Sequence, residues 1–342
     1  MNATDAPGRA RRAGTVAAAP PPRPGASAPG GGGELNRTIW LLWLQGWDTA
    51  PWLVRQVARS WEINNPDWTI RYLSWSNLEA YVDDAEYIFE PGKTISPQAV
   101  SDIVRLSLLA RHGGVWADAT LLCMQPLTPW IADAVRPAGL WMYHGHGGGM
   151  DGRFGPCSWF IASEAGALVI RRWKQACDEY WRARGETSDY FWLDGLFRAL
   201  FRNDPEFRET WRRAPHLYVE KRTQAHGLAP GGRMLSSSAA VKRMLATRPP
   251  YVLKLWWKPW QTAFPDPTSP ECRASNGYYA LQMSGRRFTA MHRMHAGSSL
   301  GFETEMAWRN VLYFSNRGLR GGARRVMNAV GRTFCRTPSQ ST

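Results

Sequence analysis

Asp118 lies in the run Val115-Trp116-Ala117-Asp118-Ala119-Thr120, where almost every neighbour is apolar. Even a neutral polar group taken out of water without a partner costs roughly 2–7 kcal/mol, and a carboxylate costs more. Asp118 therefore needs compensation, either from a cation or from backbone N–H groups of the next loop. Read as one strand from Val115 to Leu122, the segment puts Asp118 and Thr120 on one face and Val115, Ala117 and Ala119 on the other. Ligands of open α/β sheets bind beyond the carboxyl ends of strands, which is where this Asp falls. Asp102 and Arg105 are three apart on a predicted helix and can reach a common partner. The same spacing also describes a surface ion pair worth about 0–1 kcal/mol. Asp189 and Asp194, in the aromatic stretch SDYFWLDGLF, are carboxylates suited to acceptor binding or base catalysis. Their spacing has ordinary structural uses as well.

The elements that must position these residues follow from periodicity and punctuation. Thr38 to Leu44 has the length and β-rich content of a buried first strand, with Gln45 and Gly46 as a turn. Ala50 to Trp61 reads as a helix with Pro51 in its first turn and Leu53, Val57 and Trp61 on one stripe. Thr69 to Leu73 is a second strand, completing a β-α-β opening typical of a parallel sheet. Ser96-Pro97 starts a helix that runs to about His112, and Gly113-Gly114 closes it in a left-handed geometry that other residues avoid. Val115 to Leu122 and Ser158 to Ala162 are predicted strands, and Ala165 to Arg184 is a long amphipathic helix. Lys258 to Pro270 carries Pro at 259, 265, 267 and 270 and is expected to be a loop.

Composition narrows the classes. The chain has 342 residues, 44% of them hydrophobic, and 19 are Trp. Trp is mostly a core residue, although its face and N–H donor also suit the floor of a sugar or nucleotide site. The formal charge of +14 suggests nucleic acid until it is divided: Arg317 to Arg336 contributes +6, the first 34 residues +2, and the body only +6. Nucleic acid is therefore not the expected partner, and a modestly basic body suits a phosphate-bearing ligand. Five Cys, at 123, 157, 177, 272 and 335, show no zinc or redox spacing. Together with the lack of a signal peptide, they are expected to be reduced thiols in a cytoplasmic protein. The longest apolar run, Ile39 to Leu44, is far short of the ~20 residues that span a bilayer.

The ordered set Ser101, Asp102, Arg105, Gly113, Gly114, Asp118 resembles the capsular polysaccharide synthesis proteins. These are related to mannosyltransferases and to the sugar-transferring domain of large clostridial toxins. The match rests on GGVWADAT at 113 to 120, with support from TIWLLWLQGWDTAPWLV, CSWFIAS and SDYFWLDGLF. The resemblance implies an α/β chain of GT-A type nucleotide-diphospho-sugar transferase fold, a single mainly parallel sheet flanked by helices. It implies a glycosyltransferase, retaining in stereochemistry, that moves a sugar from a nucleotide-diphosphate sugar to a glycan acceptor in capsular or cell-surface polysaccharide synthesis. A catalytically silent nucleotide-sugar or glycan-binding protein on the same fold is the alternative.

Residue by residue, the resemblance puts Trp43 at the donor base, Asp102 and Arg105 at the ribose or sugar hydroxyls, and Asp118 at a metal. The segment MHRMHAGSS makes His295 a second metal ligand. Mn²⁺ or Mg²⁺ is the implied cofactor, but Thr120 stands where the wider group has the second Asp of its D-x-D pair. Mg²⁺ is held by one or two carboxylates plus substrate phosphates, so Asp118 alone could suffice. A metal-independent enzyme would instead neutralise the diphosphate with Arg105 or other basic residues. The expected organisation is a disordered Ala/Pro/Gly/Arg leader at 1–36, the transferase domain at 37–310 and a basic tail at 311–342. The tail mixes Arg with Leu319, Val326, Met327, Val330 and Phe334, a pattern that can also lie on an anionic membrane surface.

Overall fold

The computed structural model describes residues 34–284, apart from 83, 145–155, 188, 216, 218–233 and 248. His295 and the segment 311–342 lie outside the described residues. Leu35 is buried and Asn36 Nδ2 donates to the His112 carbonyl at 2.9 Å, so both residues of the expected leader pack on the body.

The central sheet takes the order β2-β1-β3-β6-β5, from β1 (Thr38–Leu42), β2 (Thr69–Leu73), β3 (Gly114–Ala117), β5 (Leu140–His144) and β6 (Pro156–Ser163). β1 pairs in parallel with β2 and β3, while β6 is antiparallel to both β3 and β5. Four of the five strands therefore run the same way, which is the mainly parallel sheet expected. Side-chain alternation divides the core. Trp40, Leu42, Trp116 and Ile161 face one cluster, and Ile39, Leu41, Val115, Ala117 and Phe160 face the other. The first cluster is covered by α2 (Pro97–His112), α4 (Leu168–Arg182), α5 (Trp192–Asn203) and α6 (Pro205–Arg213); α1 (Trp52–Asn64) and α3 (Ile131–Val135) pack on the second. Among the described residues no helix is long and apolar enough to cross a membrane.

Two expectations change. Val115 to Leu122 is not one strand: β3 ends at Ala117, residues 118–120 turn, and β4 (Leu121–Cys123) joins a second sheet with β7 (Val252–Lys254). The Leu121 N–H bonds to the Asp118 carbonyl at 2.8 Å, closing the turn. β4 cannot continue in the central sheet because α1 claims it. Trp61 Nε1 donates to the Leu121 carbonyl at 2.8 Å, and the Cys123 N–H donates to Ser60 Oγ at 2.9 Å. The second departure is Lys258 to Pro270, of which the first part is α7 (Trp257–Ala263). Pro259 is tolerated there because the first-turn N–H groups of a helix lack intrahelical partners anyway.

The Gly113-Gly114 stop is forced by space as much as by conformation. Gly113 has φ 66° and ψ −159°, a region that only glycine enters readily, and its N–H still closes on the Leu109 carbonyl at 3.0 Å. A Cβ on Gly114, at φ +94°, would lie 2.5 Å from the Thr38 carbonyl oxygen. At the other end of α2, Ser96 Oγ accepts from the Ala99 N–H at 3.2 Å with Pro97 following, as the sequence predicts.

Candidate active site

α2 lies across the first face of the sheet and carries Arg105 on its buried side, so the bland reading of Asp102 and Arg105 as a surface pair is overturned. The Arg105 side chain is 6% exposed. Its guanidinium bridges two carboxylates. Nη1 donates to Asp102 Oδ1, and Nη2 donates to Asp118 Oδ1 at 3.1 Å and to Ser101 Oγ at 3.4 Å. The guanidinium also lies 5.2 Å from the centre of the Trp116 ring. Trp116, two residues before Asp118 and on the same face, donates its indole N–H to Asp118 Oδ1 at 3.0 Å.

The other oxygen of Asp118 is met from the opposite face of the sheet. Lys254 Nζ donates to Asp118 Oδ2 at 2.7 Å, with the two side chains 17% and 21% exposed. β7 brings the lysine there because Lys254 is in register with Leu121, and the Leu255 N–H bonds to the Thr120 carbonyl at 2.7 Å. Lys254 Nζ also stands 5.8 Å from the centre of the Trp159 ring, and the Trp159 carbonyl accepts the Asp118 N–H at 3.0 Å. Burial raises the Asp118 carboxyl, but Lys254, Arg105 and the Lys254 and Trp116 hydrogen bonds outweigh it and hold the group below its ordinary value. Asp118 is thus an anion with its compensation built in.

A second carboxylate behaves oppositely. Asp194, in the first turn of α5, is pushed up to about 6, mainly by burial and further by Asp189, against the pull of Arg198 and Arg105. Asp102 also rises to about 6, chiefly by burial, with Asp118 and Asp194 adding to the shift and Arg105 opposing it. The structure therefore gathers Asp102, Arg105, Asp118 and Asp194 into one electrostatic cluster. Asp189 stands at its margin, exposed, with a carboxylate oxygen accepting the Phe191 N–H at 2.8 Å just before α5. Trp43 follows the end of β1 and packs with Ala119 of the Asp118 turn and edge-on against Trp257, ring centres 5.7 Å apart.

The sequence reading missed Lys254. Its signal was the one that exposed Asp118, a single charge inside an apolar strand, Val252-Leu253-Lys254-Leu255. The implied divalent cation fits these residues poorly. Both oxygens of Asp118 already accept from Arg105, Trp116 and Lys254, and a metal there would face two fixed positive charges. Thr120 adds no carboxylate, and no group of three or more His, Cys, Asp or Glu is arranged for a metal among the described residues.

Two curated proteins are similar over part of the chain. The O-glycosyltransferase braB of Annulohypoxylon truncatum is 28% identical over 164 residues, covering 43% of this chain and 38% of that protein. Glycosyltransferase afumC of Aspergillus fumigatus is 24% identical over 173 residues, covering 43% and 41%. The chain spans about two fifths of the length of the curated relatives it matches. Among solved structures, PaToxG glycosyltransferase aligns at 14% identity with a TM-score of 0.35, covering 74% of this chain and 87% of that one. The galactosyltransferase LgtC, solved with donor and acceptor sugar analogues, aligns at 12% identity with a TM-score of 0.31, covering 74% and 96%. The model of the family described as capsular polysaccharide synthesis protein matches residues 32–258, well over half of the chain and the whole span from Trp43 to Lys254, and the chain belongs to that family.

Proposed function

We propose that the protein is a glycosyltransferase that moves a sugar from a nucleotide-diphosphate sugar to a hydroxyl of a glycan acceptor, in the making of capsular or other cell-surface polysaccharide. The observation that carries the reading is Asp118, half-buried at the carboxyl end of a parallel strand and held ionised by Arg105 and Lys254. Family membership and the names of the two curated relatives support it.

Sugar transfer needs a bound donor, a stabilised leaving phosphate and an acceptor hydroxyl beside the anomeric carbon. Trp43 is the base-stacking residue of this reading, half-buried beside the Asp118 turn. Asp118 and Asp102 accept hydrogen bonds from ribose or sugar hydroxyls, and Arg105 locks both carboxylates in place. Asp194, with Asp189 at its margin, orients the acceptor. Retention of anomeric configuration needs no dedicated base, which suits an orienting role better than proton abstraction. Mn²⁺ or Mg²⁺ has no part in this reading, because both oxygens of Asp118 already accept hydrogen bonds from Arg105, Trp116 and Lys254. The enzyme works at the cytoplasmic face of the cell envelope in this reading. The Arg-rich segment 311–342 contacts anionic lipid, at about 1 kcal/mol per basic residue near the surface.

The test is a panel of UDP-, GDP- and other nucleotide sugars, assayed for hydrolysis and transfer with Mn²⁺, Mg²⁺ or chelator, on wild type and Asp118→Ala. Turnover of one donor, lost in Asp118→Ala, is expected. If no donor turns over and Asp118→Ala binds donors as well as wild type does, the enzyme reading fails. Donor binding without turnover would make the protein a nucleotide-sugar binder.

A further inference from the structure

The Asp118 turn carries one acid and meets a base from another strand. Thr120 offers no carboxylate, while Lys254, from a strand of the second sheet, puts an ammonium 2.7 Å from Asp118 Oδ2. The contacts then join two carboxylates, Asp102 and Asp118, to two fixed cations, Arg105 and Lys254, so no excess of negative charge is left at the turn to hold a divalent cation. Attraction for phosphate must therefore come from a cation with donors to spare, and not from an excess of positive charge. The two cations are not equivalent. Arg105 is 6% exposed and bound by Asp102, Ser101 and Asp118, whereas the Lys254 side chain is 17% exposed at the open edge of the turn. An ammonium has three donors, and among the described residues Lys254 Nζ hydrogen-bonds to Asp118 alone. The stem is steadied by the Trp159 ring, and the backbone by pairing to Leu121 and Thr120.

We propose that Lys254 is the fixed cation that neutralises the donor diphosphate, in the role a divalent ion would otherwise fill. The proposal rests on the glycosyltransferase reading above. The bond from the anomeric carbon to the β-phosphate oxygen breaks, and its electron pair stays on that oxygen. The acceptor oxygen bonds to the anomeric carbon, and its proton passes to the departing phosphate. Lys254 keeps its proton throughout and donates hydrogen bonds to the phosphate oxygens as their charge rises. Asp118 holds the ammonium in line, so that no reorganisation is needed at the moment of transfer.

The test titrates the full chain by calorimetry with inorganic pyrophosphate, UDP and GDP, with uridine and guanosine as nucleoside controls, in EDTA and in Mn²⁺. Wild type, Lys254→Met and Lys254→Arg are compared. Wild type is expected to bind diphosphate in EDTA. Lys254→Met should weaken diphosphate binding at least about tenfold without changing nucleoside binding, and should lower donor turnover by about 100-fold, the effect typical of removing one fixed transition-state donor. Mn²⁺ should not rescue it, and Lys254→Arg should recover part of the loss. Wild-type diphosphate binding that appears only with Mn²⁺ overturns the proposal while leaving the transferase reading intact, and this measurement needs no variant. Wild-type affinity for diphosphate in Lys254→Met overturns it equally. Absence of diphosphate and donor binding in wild type under every condition would take down the transferase reading with it.

Discussion

Asp118 lies beyond β3 between Arg105 and Lys254, each supplied by a different layer of the fold, whereas Asp194 lies in the first turn of α5, with Arg198 one turn further along the same helix. Both carboxylates are withdrawn from water, yet one is held ionised and the other is raised to about 6. The difference is direct contact. Asp118 accepts three side-chain hydrogen bonds from donors fixed by secondary structure, two of them from cations. The cations acting on Asp194 only moderate its burial. One end of the cluster is therefore a permanent charge pattern suited to a charged donor, and the other is a carboxyl whose state responds to what approaches it.

The comparison breaks most severely if its shared element is removed. Arg105→Ala leaves Asp102 and Asp118 without their common buried partner, and a loss of about 3–5 kcal/mol in urea-unfolding stability is expected. Arg105→Lys should recover little, since an ammonium cannot bridge two carboxylates through a planar fork. Gly114→Ala attacks the backbone that delivers Asp118. The positive φ alone costs about 1–3 kcal/mol, and the clash with the Thr38 oxygen adds to it. A drop in melting temperature together with loss of donor binding is expected.

The two carboxylates should then separate by the sign of their pH dependence. Asp194 has a folded value near 6 against an ordinary 3.8, so its contribution is fully present below about pH 4 and is lost as pH rises through 6. Asp194→Asn removes that loss, so its stability relative to wild type should climb across the window. Asp118 is shifted down, so its contribution is present above its ordinary value of 3.8 and disappears as pH falls through the lower folded value. Asp118→Asn should be destabilised at neutral pH and converge on wild type in acid. Parallel slopes for the two variants in denaturation measured from pH 3 to 8 would erase the distinction. The smallest effect is expected at the rim beside Asp194, where Phe191 is 60% exposed. Phe191→Ala should change stability by no more than about 0.5 kcal/mol while raising KM for the acceptor and leaving donor affinity unchanged.

Much of this was legible in the sequence wherever a local pattern carried it. Thr69–Leu73 is found with its predicted bounds, and Ser96-Pro97 and Gly113-Gly114 bracket α2 as their conformational preferences require. Asp118 stood out because a carboxylate in an apolar run must be compensated. What compensates it was not legible, because Lys254 reaches Asp118 through pairing of β4 with β7, and a three-residue strand carries almost no periodicity. The break at Asp118 was hidden for a related reason: residues 115 to 122 are apolar enough to read as one strand. Only the hold of α1 on Leu121 and Cys123 divides them. Burial of Arg105 depended on how α2 meets Trp116, which spacing along one helix does not specify.

The pairing of Lys254 with Asp118 spans 136 residues, and this separation bears on how the protein is made. Contacts so distant in sequence form late and slowly. During synthesis the chain from β1 through Asp118 emerges with its recognition motif whole, but with the lysine that counters it still to come. Until β7 docks, Asp118 has only Arg105 as its cation, and the turn has not gained its second positive charge. Diphosphate affinity should therefore appear in refolding only after the distal strand has joined, so a labelled nucleotide serves as a clock for the last step of assembly.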